Sequence, residues 1–186
     1  MKIRIVIIGL IGVLALTSAL FAKTVEITLS EVAVIAPGEN EPDQTLGPRI
    51  CLKFSLPEGL SGKEIGYAGL EINLDPRYMP ADSIIIFETF LLASDWNENS
   101  RWNDFANPGG DVDSAYYTGH SFKFGSGNVT EINITEMAKR WNSDIGHNYG
   151  LILIPRDTEF NSFRAFRYSP ELLRGMITLK IIVPGR

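Results

Sequence analysis

Short stretches in which apolar and polar residues alternate recur along most of this chain, and they constrain its fold more than any other feature. In the first of them, Val25, Ile27 and Leu29 alternate with Glu26 and Thr28. A period of two places one set of side chains on each face of an extended strand. The pattern recurs, between clusters of Gly, Pro, Asn and Asp, at 49–56, 65–74, 149–154, 160–166 and 176–183. The sequence therefore predicts an all-β protein.

The number of strands and a single helical pattern predict the architecture. The helical pattern begins at Thr135, which we expect to cap it, and it places Met137 and Trp141 four residues apart on one face. About eight antiparallel strands with one short helix cannot bury their faces as one open sheet. We therefore predict a two-sheet antiparallel β-sandwich with one short helix, and among sandwiches a jelly roll, because that fold accommodates long end loops. A phase change at Ser30 and Glu31 predicts a bulge in the first strand.

The N-terminus has the layout of a secretory signal peptide. Lys2 and Arg4 precede the apolar run 5–16, and small residues follow it. We expect cleavage after Ala22, with cleavage after Ala19 as the rival. An uncleaved N-terminal anchor is the alternative to a cleaved signal.

Once the signal peptide 1–22 is removed, residues 23–186 have the length of a single domain. The removal leaves 15 basic against 22 acidic residues and a net charge of −7. Nucleic-acid-binding proteins usually carry clustered Lys and Arg, which this sequence lacks, so no nucleic acid partner is predicted. We expect a secreted or cell-surface protein with no membrane span after signal cleavage.

The sequence offers little of the usual catalytic machinery. His120 and His147 are expected in loops or turns, and neither stands in a nucleophile elbow. Cys51, the single cysteine, is expected to be a packing residue on one face of a strand. We therefore predict a protein that is not an enzyme. The alternative is a polysaccharide-active enzyme with a carboxylate pair such as Asp95 and Glu98.

Aromatic residues are concentrated in the stretch 94–119, which has no sustained period and is predicted to be a long loop. Trp102, Tyr116 and Tyr117 lie in it, together with Arg101. A ring with a polar edge suits stacking against a sugar, and Arg101 would add hydrogen bonds. The same rings suit the open end of a sandwich, so both interpretations stand. The remaining tryptophans, Trp96 and Trp141, are predicted to lie in the core.

Asp111 and Asp113 form the one pattern that suggests a metal. Spaced by one residue in an extended segment, they would present two carboxylates on the same side, which suits a hard cation such as calcium. A complete calcium site needs about six to eight oxygens, and a solvated turn after Pro108 is the alternative. No cofactor other than a structural calcium is predicted.

Three phrases taken together resemble the DNRLRE domain, also called the disaggregatase-related domain. Residues 49–57 and 68–74 are similar to its early strand pair, in which a Phe-containing strand and a proline precede an Ala-x-Leu-x-Leu strand. Residues 93–102 are similar to its phrase in which two tryptophans bracket a Glu. Residues 132–141 and 148–153 resemble its strand, helical turn, Trp and Asn-x-Gly-Leu segment.

The resemblance covers about residues 49–183 and implies a jelly-roll β-sandwich without catalytic activity, as found in modules of extracellular polysaccharide-degrading or surface proteins. Some members bind acidic polysaccharide such as alginate. Residues 24–48 depart from the family's usual opening strand. The net charge of −7 after signal removal does not favour a polyanionic ligand.

These observations together favour a non-catalytic extracellular module that binds a polysaccharide or surface glycan. Its candidate binding residues are Arg101, Trp102, Tyr116 and Tyr117. The main alternative is a structural or adhesive protein of the cell surface or matrix that contacts protein partners.

Overall fold

In the computed structural model, which describes residues 22–38, 48–73, 84–123, 129–157 and 169–185, eight strands form one antiparallel sheet. Two α-helices and three 3-10 turns accompany them in these ranges. The predicted all-β class is confirmed. Residues 1–21 of the predicted signal peptide and the strand predicted at 160–166 lie outside the described residues. The strands are β1 (Lys23–Ile35), β2 (Arg49–Phe54), β3 (Tyr67–Asn73), β4 (Ile84–Leu92), β5 (Val112–Lys123), β6 (Val129–Asn133), β7 (Leu151–Asp157) and β8 (Ile177–Val183); the helices are α1 (Thr135–Ser143) and α2 (Pro170–Met176); the turns are Glu58–Leu60, Trp102–Asp104 and Ile145–His147.

The order of the strands in the sheet is β5-β4-β7-β2-β1-β8-β3-β6. The two strands at the ends of this order, β5 and β6, approach each other. His120 Nε2 of β5 lies 2.6 Å from Thr130 Oγ1 of β6, so the sheet nearly closes on itself. Neither of the two described helices combines the length and hydropathy that a membrane-crossing segment requires.

The predicted bulge in β1 is confirmed. The register of β1 against β2 shifts between Leu29 and Glu31. An extra residue at a bulge exchanges the faces of all residues after it. Ile27 lies in the main core cluster before the bulge, and Val32 lies in the same cluster after it. On either side of the bulge β1 has a different neighbour: its N-terminal half pairs with β8 and its C-terminal half pairs mainly with β2.

The main core lies inside the curved sheet, as the alternation predicts. Leu70, Ile72, Leu151 and Leu179 are each at most 3% exposed. A second apolar cluster covers the opposite face of β1, β2, β4 and β7. Its members come partly from these strands and partly from the segment 93–111, which folds over them. The second cluster contains Ala33, Ile35, Cys51, Leu92, Trp96, Trp102, Phe105 and Ile152.

Helix α1 docks on the core as its sequence predicts, but its first turn differs from the prediction. Met137 and Trp141 are 3% and 2% exposed. Thr135 is not the capping residue, because the N-cap position is Ile134, which makes no side-chain cap bond. The Thr135 hydroxyl instead accepts a hydrogen bond from the Ala68 backbone N–H at 3.0 Å, and the Asn133 side chain accepts the Thr135 N–H at 3.0 Å. These bonds tie the start of α1 to β3 and β6.

Two further expectations were wrong. The prediction of a single helix omitted α2, whose N-cap residue Ser169 accepts a hydrogen bond from Leu172 N at 3.2 Å. The predicted loop 94–119 ends at Asp111, since β5 begins at Val112. His120 therefore lies in a strand rather than in a loop. The sequence conceals β5 because its pairing with β4 jumps from Tyr117 to Asp113, which interrupts the alternation.

Candidate functional site

Trp102, the first of the predicted sugar-binding residues, lies in the second apolar cluster. It begins a 3-10 turn and is 2% exposed. The Arg49 guanidinium lies 4.6 Å from the centre of its ring and donates a hydrogen bond to Gly109 O at 2.6 Å. Gly109 has a φ of 86°, and a Cβ there would lie 2.7 Å from the Trp102 ring. The ring is therefore packed on its neighbours and offers no exposed face to a sugar.

Asp111 organises the segment 93–111 through its hydrogen bonds. Its carboxylate accepts hydrogen bonds from Ser94 Oγ at 2.8 Å and from the backbone N–H groups of Ala106 and Asn107 at 3.2 and 2.8 Å. Burial opposes its ionisation, but these donors outweigh burial and lower the pKa of Asp111 below its usual value. Asp113 accepts a hydrogen bond from Ala115 N at 3.0 Å. Among the described residues, no three His, Cys, Asp or Glu side chains lie close enough together to hold a metal ion.

Asp95 and Glu98, the candidate carboxylate pair of an enzyme, each form an ion pair with a basic residue. Lys53 Nζ lies 3.1 Å from Asp95 Oδ1, and this bond is the main cause of the lowered pKa of Asp95. Glu98 pairs with Arg174. Between the two acids, Trp96 is 5% exposed and lies in the core as predicted. Each carboxylate serves a separate ion pair, so the segment 93–111 is linked to β2 through Asp95 and to α2 through Glu98.

A groove beside β5 contains the other two predicted aromatic residues, and we call it the aromatic groove. It encloses about 580 Å³ between β5 and the start of α1. Tyr116 is half-buried against the main core. Tyr117 is 53% exposed, and its ring centre lies 4.9 Å from that of Phe90 on β4. The groove is lined by Ala115, Tyr116, Tyr117, Thr118, Asn133, Ile134, Thr135, Glu136 and Met137.

Gly119 allows the Tyr117 ring to lie flat on its own strand. A Cβ at Gly119 would lie 2.8 Å from the Tyr117 hydroxyl. Side chains two residues apart share one face of a strand, so a larger residue at 119 would push the ring away. The ring contacts Phe90, its hydroxyl end lies close to Gly119, and the residue is 53% exposed to solvent.

The groove exists because β5 bulges there. Phe90 pairs with Tyr117 while the next residue, Leu91, pairs with Asp113, so residues 114–116 have no partner positions in β4. Bulges bend a strand and redirect its side chains, and they are frequent beside functional sites. In this chain both halves of β5 pair with β4, and the residues at positions 115 and 116, which lack partners in β4, line the groove.

A smaller cavity lies farther along α1, and we call it the polar cavity. It encloses about 250 Å³. Arg140 Nη1 lies 3.2 Å from Asp144 Oδ2, and His147 Nδ1 lies 2.8 Å from Asp144 Oδ1. The hydrogen bond with His147 is the main cause of the lowered pKa of Asp144. The polar cavity is lined by Leu91, Leu92, Ala93, Asp113, Arg140, Trp141, Asp144, His147 and Tyr149.

The structure thus brings together only part of the predicted set. Tyr116 and Tyr117 line the aromatic groove, and Asp113 lines the polar cavity. Arg101 is exposed on the segment 93–111 and lines neither space, and Trp102 is buried.

Sequence reasoning missed most of the charged residues of the polar cavity. The only available signal was the spacing of Arg140 and Asp144, which places them on one face of a helix. His147 lies in the 3-10 turn after the helix and Tyr149 begins the alternating stretch 149–154, and neither position indicates by itself that the residue lines a cavity.

Neither the models of known protein families nor the curated proteins include a match to this chain. The resemblance to the DNRLRE domain remains a prediction from the sequence.

Proposed function

We propose that this protein is a non-catalytic module that binds an extracellular polysaccharide or surface glycan in the aromatic groove. The observation that carries the proposal is Tyr117, whose flat ring is 53% exposed beside a space of about 580 Å³. Sugar rings have apolar faces and polar edges, so they stack on such a ring while their hydroxyls bond to groups at its rim.

The rim of the groove supplies suitable polar groups. Thr118, Asn133 and Glu136 line it with the two tyrosines. Small-ligand sites commonly enclose about 300–1,000 Å³ and combine an apolar surface with a few polar groups. The aromatic groove has both properties, which supports recognition of a sugar without a catalytic step.

The proposal includes the setting that the sequence predicts. We propose that residues 1–22 direct export, that the mature protein is secreted or attached to the cell surface, and that the curved sheet forms the two layers of a jelly-roll sandwich. Pairing of the two halves of β1 with different neighbours supports this layered arrangement. The resemblance to the DNRLRE domain supports it as well.

The test is retention of the protein in native gels that contain soluble polysaccharide. Tyr117→Ala should weaken retention at least about fivefold in Kd, since loss of a central aromatic contact commonly costs more than about 1 kcal/mol. Tyr117→Phe keeps the ring and is the matched control, which should bind nearly as well as the natural protein. Equal binding by all three proteins would refute the aromatic groove as the site.

A structural or adhesive role is the second candidate, and β6 favours it. This strand is the last in the sheet order, and Val129 at its start is 50% exposed. An outer strand with an exposed apolar residue is a common contact for another protein chain. Absence of binding across a glycan array, together with concentration-dependent assembly in solution scattering, would select this role.

A further inference from the structure

We propose that the polar cavity is a second subsite for the same glycan chain, and that this chain is uncharged. The inference rests on the proposed function, because it takes the aromatic groove as the first subsite. Four observations carry it: the alignment of the two spaces, the hydrogen-bonding groups of the polar cavity, its apolar floor and the pairing of its charges.

The two spaces follow one another along the line between β5 and α1. Met137 lines the aromatic groove and Trp141 lines the polar cavity, one helical turn farther on. Four residues of helix advance about 6 Å. On the opposite side, Ala115 lines the first space and Asp113 the second. Asp113 and Ala115 are two residues apart at the bulge of β5, so both walls pass from the first space to the second within a few residues and a single chain can contact both spaces.

The polar cavity offers several groups that can bond to sugar hydroxyls. Arg140 uses Nη1 for Asp144, which leaves its other guanidinium nitrogens without a described partner. His147 uses Nδ1 for Asp144 and is 63% exposed. The Tyr149 hydroxyl and the second carboxylate oxygen of Asp113 add a donor and an acceptor.

The floor of the polar cavity is apolar. Leu91, Leu92 and Trp141 line it, and each is at most 4% exposed, so they close the base of the cavity and offer no stacking face. A sugar there would be held by the convergent polar groups at the rim, above this apolar base. At about 250 Å³ the polar cavity is smaller than usual ligand sites, which suits one extension of a longer chain rather than an independent ligand.

The charges along this line favour an uncharged chain. Arg140 is paired with Asp144, and Lys139 is paired with Glu136 at 2.8 Å. Every described cation that lines either space is therefore paired with a carboxylate, and Asp113 adds a further negative charge. A uronate sugar would bring a carboxylate beside these acids and would be repelled. A chain of neutral hexoses meets no such cost.

The test uses the full mature protein and three measurements. Gel retention is compared between neutral β-glucans or galactomannans and polygalacturonate at low salt. Calorimetry then gives Kd for short and long oligosaccharides of the neutral polymer retained most strongly. The same titrations are run on Arg140→Ala, with Arg101→Ala as the matched control, since Arg101 is exposed and lines neither space.

We expect retention by a neutral polymer and not by polygalacturonate. Arg140→Ala should weaken binding of the long oligosaccharide about tenfold, which corresponds to about 1.4 kcal/mol, because hydrogen bonds from a charged group to the sugar are lost. It should leave binding of the shortest oligosaccharide unchanged, because that ligand occupies the aromatic groove alone. Arg101→Ala should change neither.

The outcomes separate the two proposals. Stronger retention by polygalacturonate would overturn the uncharged ligand, and an equal effect of Arg140→Ala on short and long ligands would overturn the second subsite. In both cases a loss of binding in Tyr117→Ala would still support the proposed function. If no polysaccharide retains the natural protein, the proposed function fails and the second subsite fails with it. A melting temperature of Arg140→Ala close to that of the natural protein shows that folding is not the cause.

Discussion

Replacement of Trp102 by alanine tests whether this residue is packed in the interior or binds a sugar. The indole is 2% exposed in the second apolar cluster, with the Arg49 guanidinium 4.6 Å from its ring centre. Truncation of a buried aromatic residue to alanine costs about 3–5 kcal/mol, as lost burial plus the cavity left behind. Loss of the contact with Arg49 contributes within that range, since such contacts are worth about 0.5–2 kcal/mol.

One feature of the site reduces the loss of stability expected for Trp102→Ala. Trp102 Nε1 is buried and has no hydrogen-bond partner among the described residues. An unsatisfied buried donor costs about 1–3 kcal/mol, and its removal offsets part of the lost packing. We therefore expect Trp102→Ala to lower the free energy of unfolding by about 2–3 kcal/mol. For a domain of this size, about 2–4 °C in melting temperature accompany each kcal/mol, which gives a decrease of about 4–12 °C.

Trp102→Phe is the matched control. It keeps an aromatic ring beside Arg49 and removes the unsatisfied N–H, so we expect a loss of only about 1–2 kcal/mol. Urea unfolding followed by circular dichroism, and calorimetric melting, measure both variants. Polysaccharide retention is measured at a temperature where each variant is folded.

The refuting result is specific. If Trp102→Ala has the same melting temperature as the natural protein and loses polysaccharide retention, the indole is a binding surface and the packing argument is wrong. If it loses stability and its folded fraction still binds, the ring supports the segment 93–111 without touching the ligand. The second outcome is the one we expect.

Two further predictions concern buried or hydrogen-bonded groups. Burial raises the pKa of the Cys51 thiol to about 12, although the nearby Arg49 acts to lower it. An alkylating reagent should therefore label Cys51 only after unfolding. Rapid labelling of the folded protein would contradict its packing role. Because the folded-state pKa is the higher one, the contribution of this thiol to stability is complete below about pH 9 and is lost as pH rises toward 12. Asp111→Asn should lower stability by about 1–2 kcal/mol at pH 7 through lost charge-assisted hydrogen bonds, as measured by urea unfolding. The pKa of Asp111 lies below its ordinary value of 3.8, so its contribution is present above that pH and is lost below it; a difference from Asn that persists unchanged at pH 2 would contradict this.

Part of the candidate site was predictable because aromatic residues are conspicuous in a polar segment. Tyr116 and Tyr117 were identified in this way, and both line the aromatic groove. Trp102 was identified by the same criterion and is buried. The criterion cannot separate the two cases, because a residue outside a periodic pattern carries no information about which face it occupies.

A few features were present in the sequence and were overlooked. Ser169 followed by Pro170 is a typical start of a helix, yet α2 was not predicted because it has only seven residues. His120 was assigned to a loop because the bulge in β5 interrupts the alternation that identifies a strand.

What the sequence determined by itself is most of the described strands and, where apolar and polar residues alternate, the side of the strand that is buried. Alternation of Val25, Ile27 and Leu29, and the phase change at Ser30, required an inner face and a bulge, since burial of every second side chain is the only arrangement that separates them from water. Which residues line the polar cavity was determined by the tertiary structure alone. Asp113 and Tyr149 come from separate parts of the chain, and only the pairing of strands and the docking of α1 bring them to one space. Contacts between residues far apart in sequence leave no local pattern in the sequence. They depend on how the sheet closes and not on the neighbouring residues.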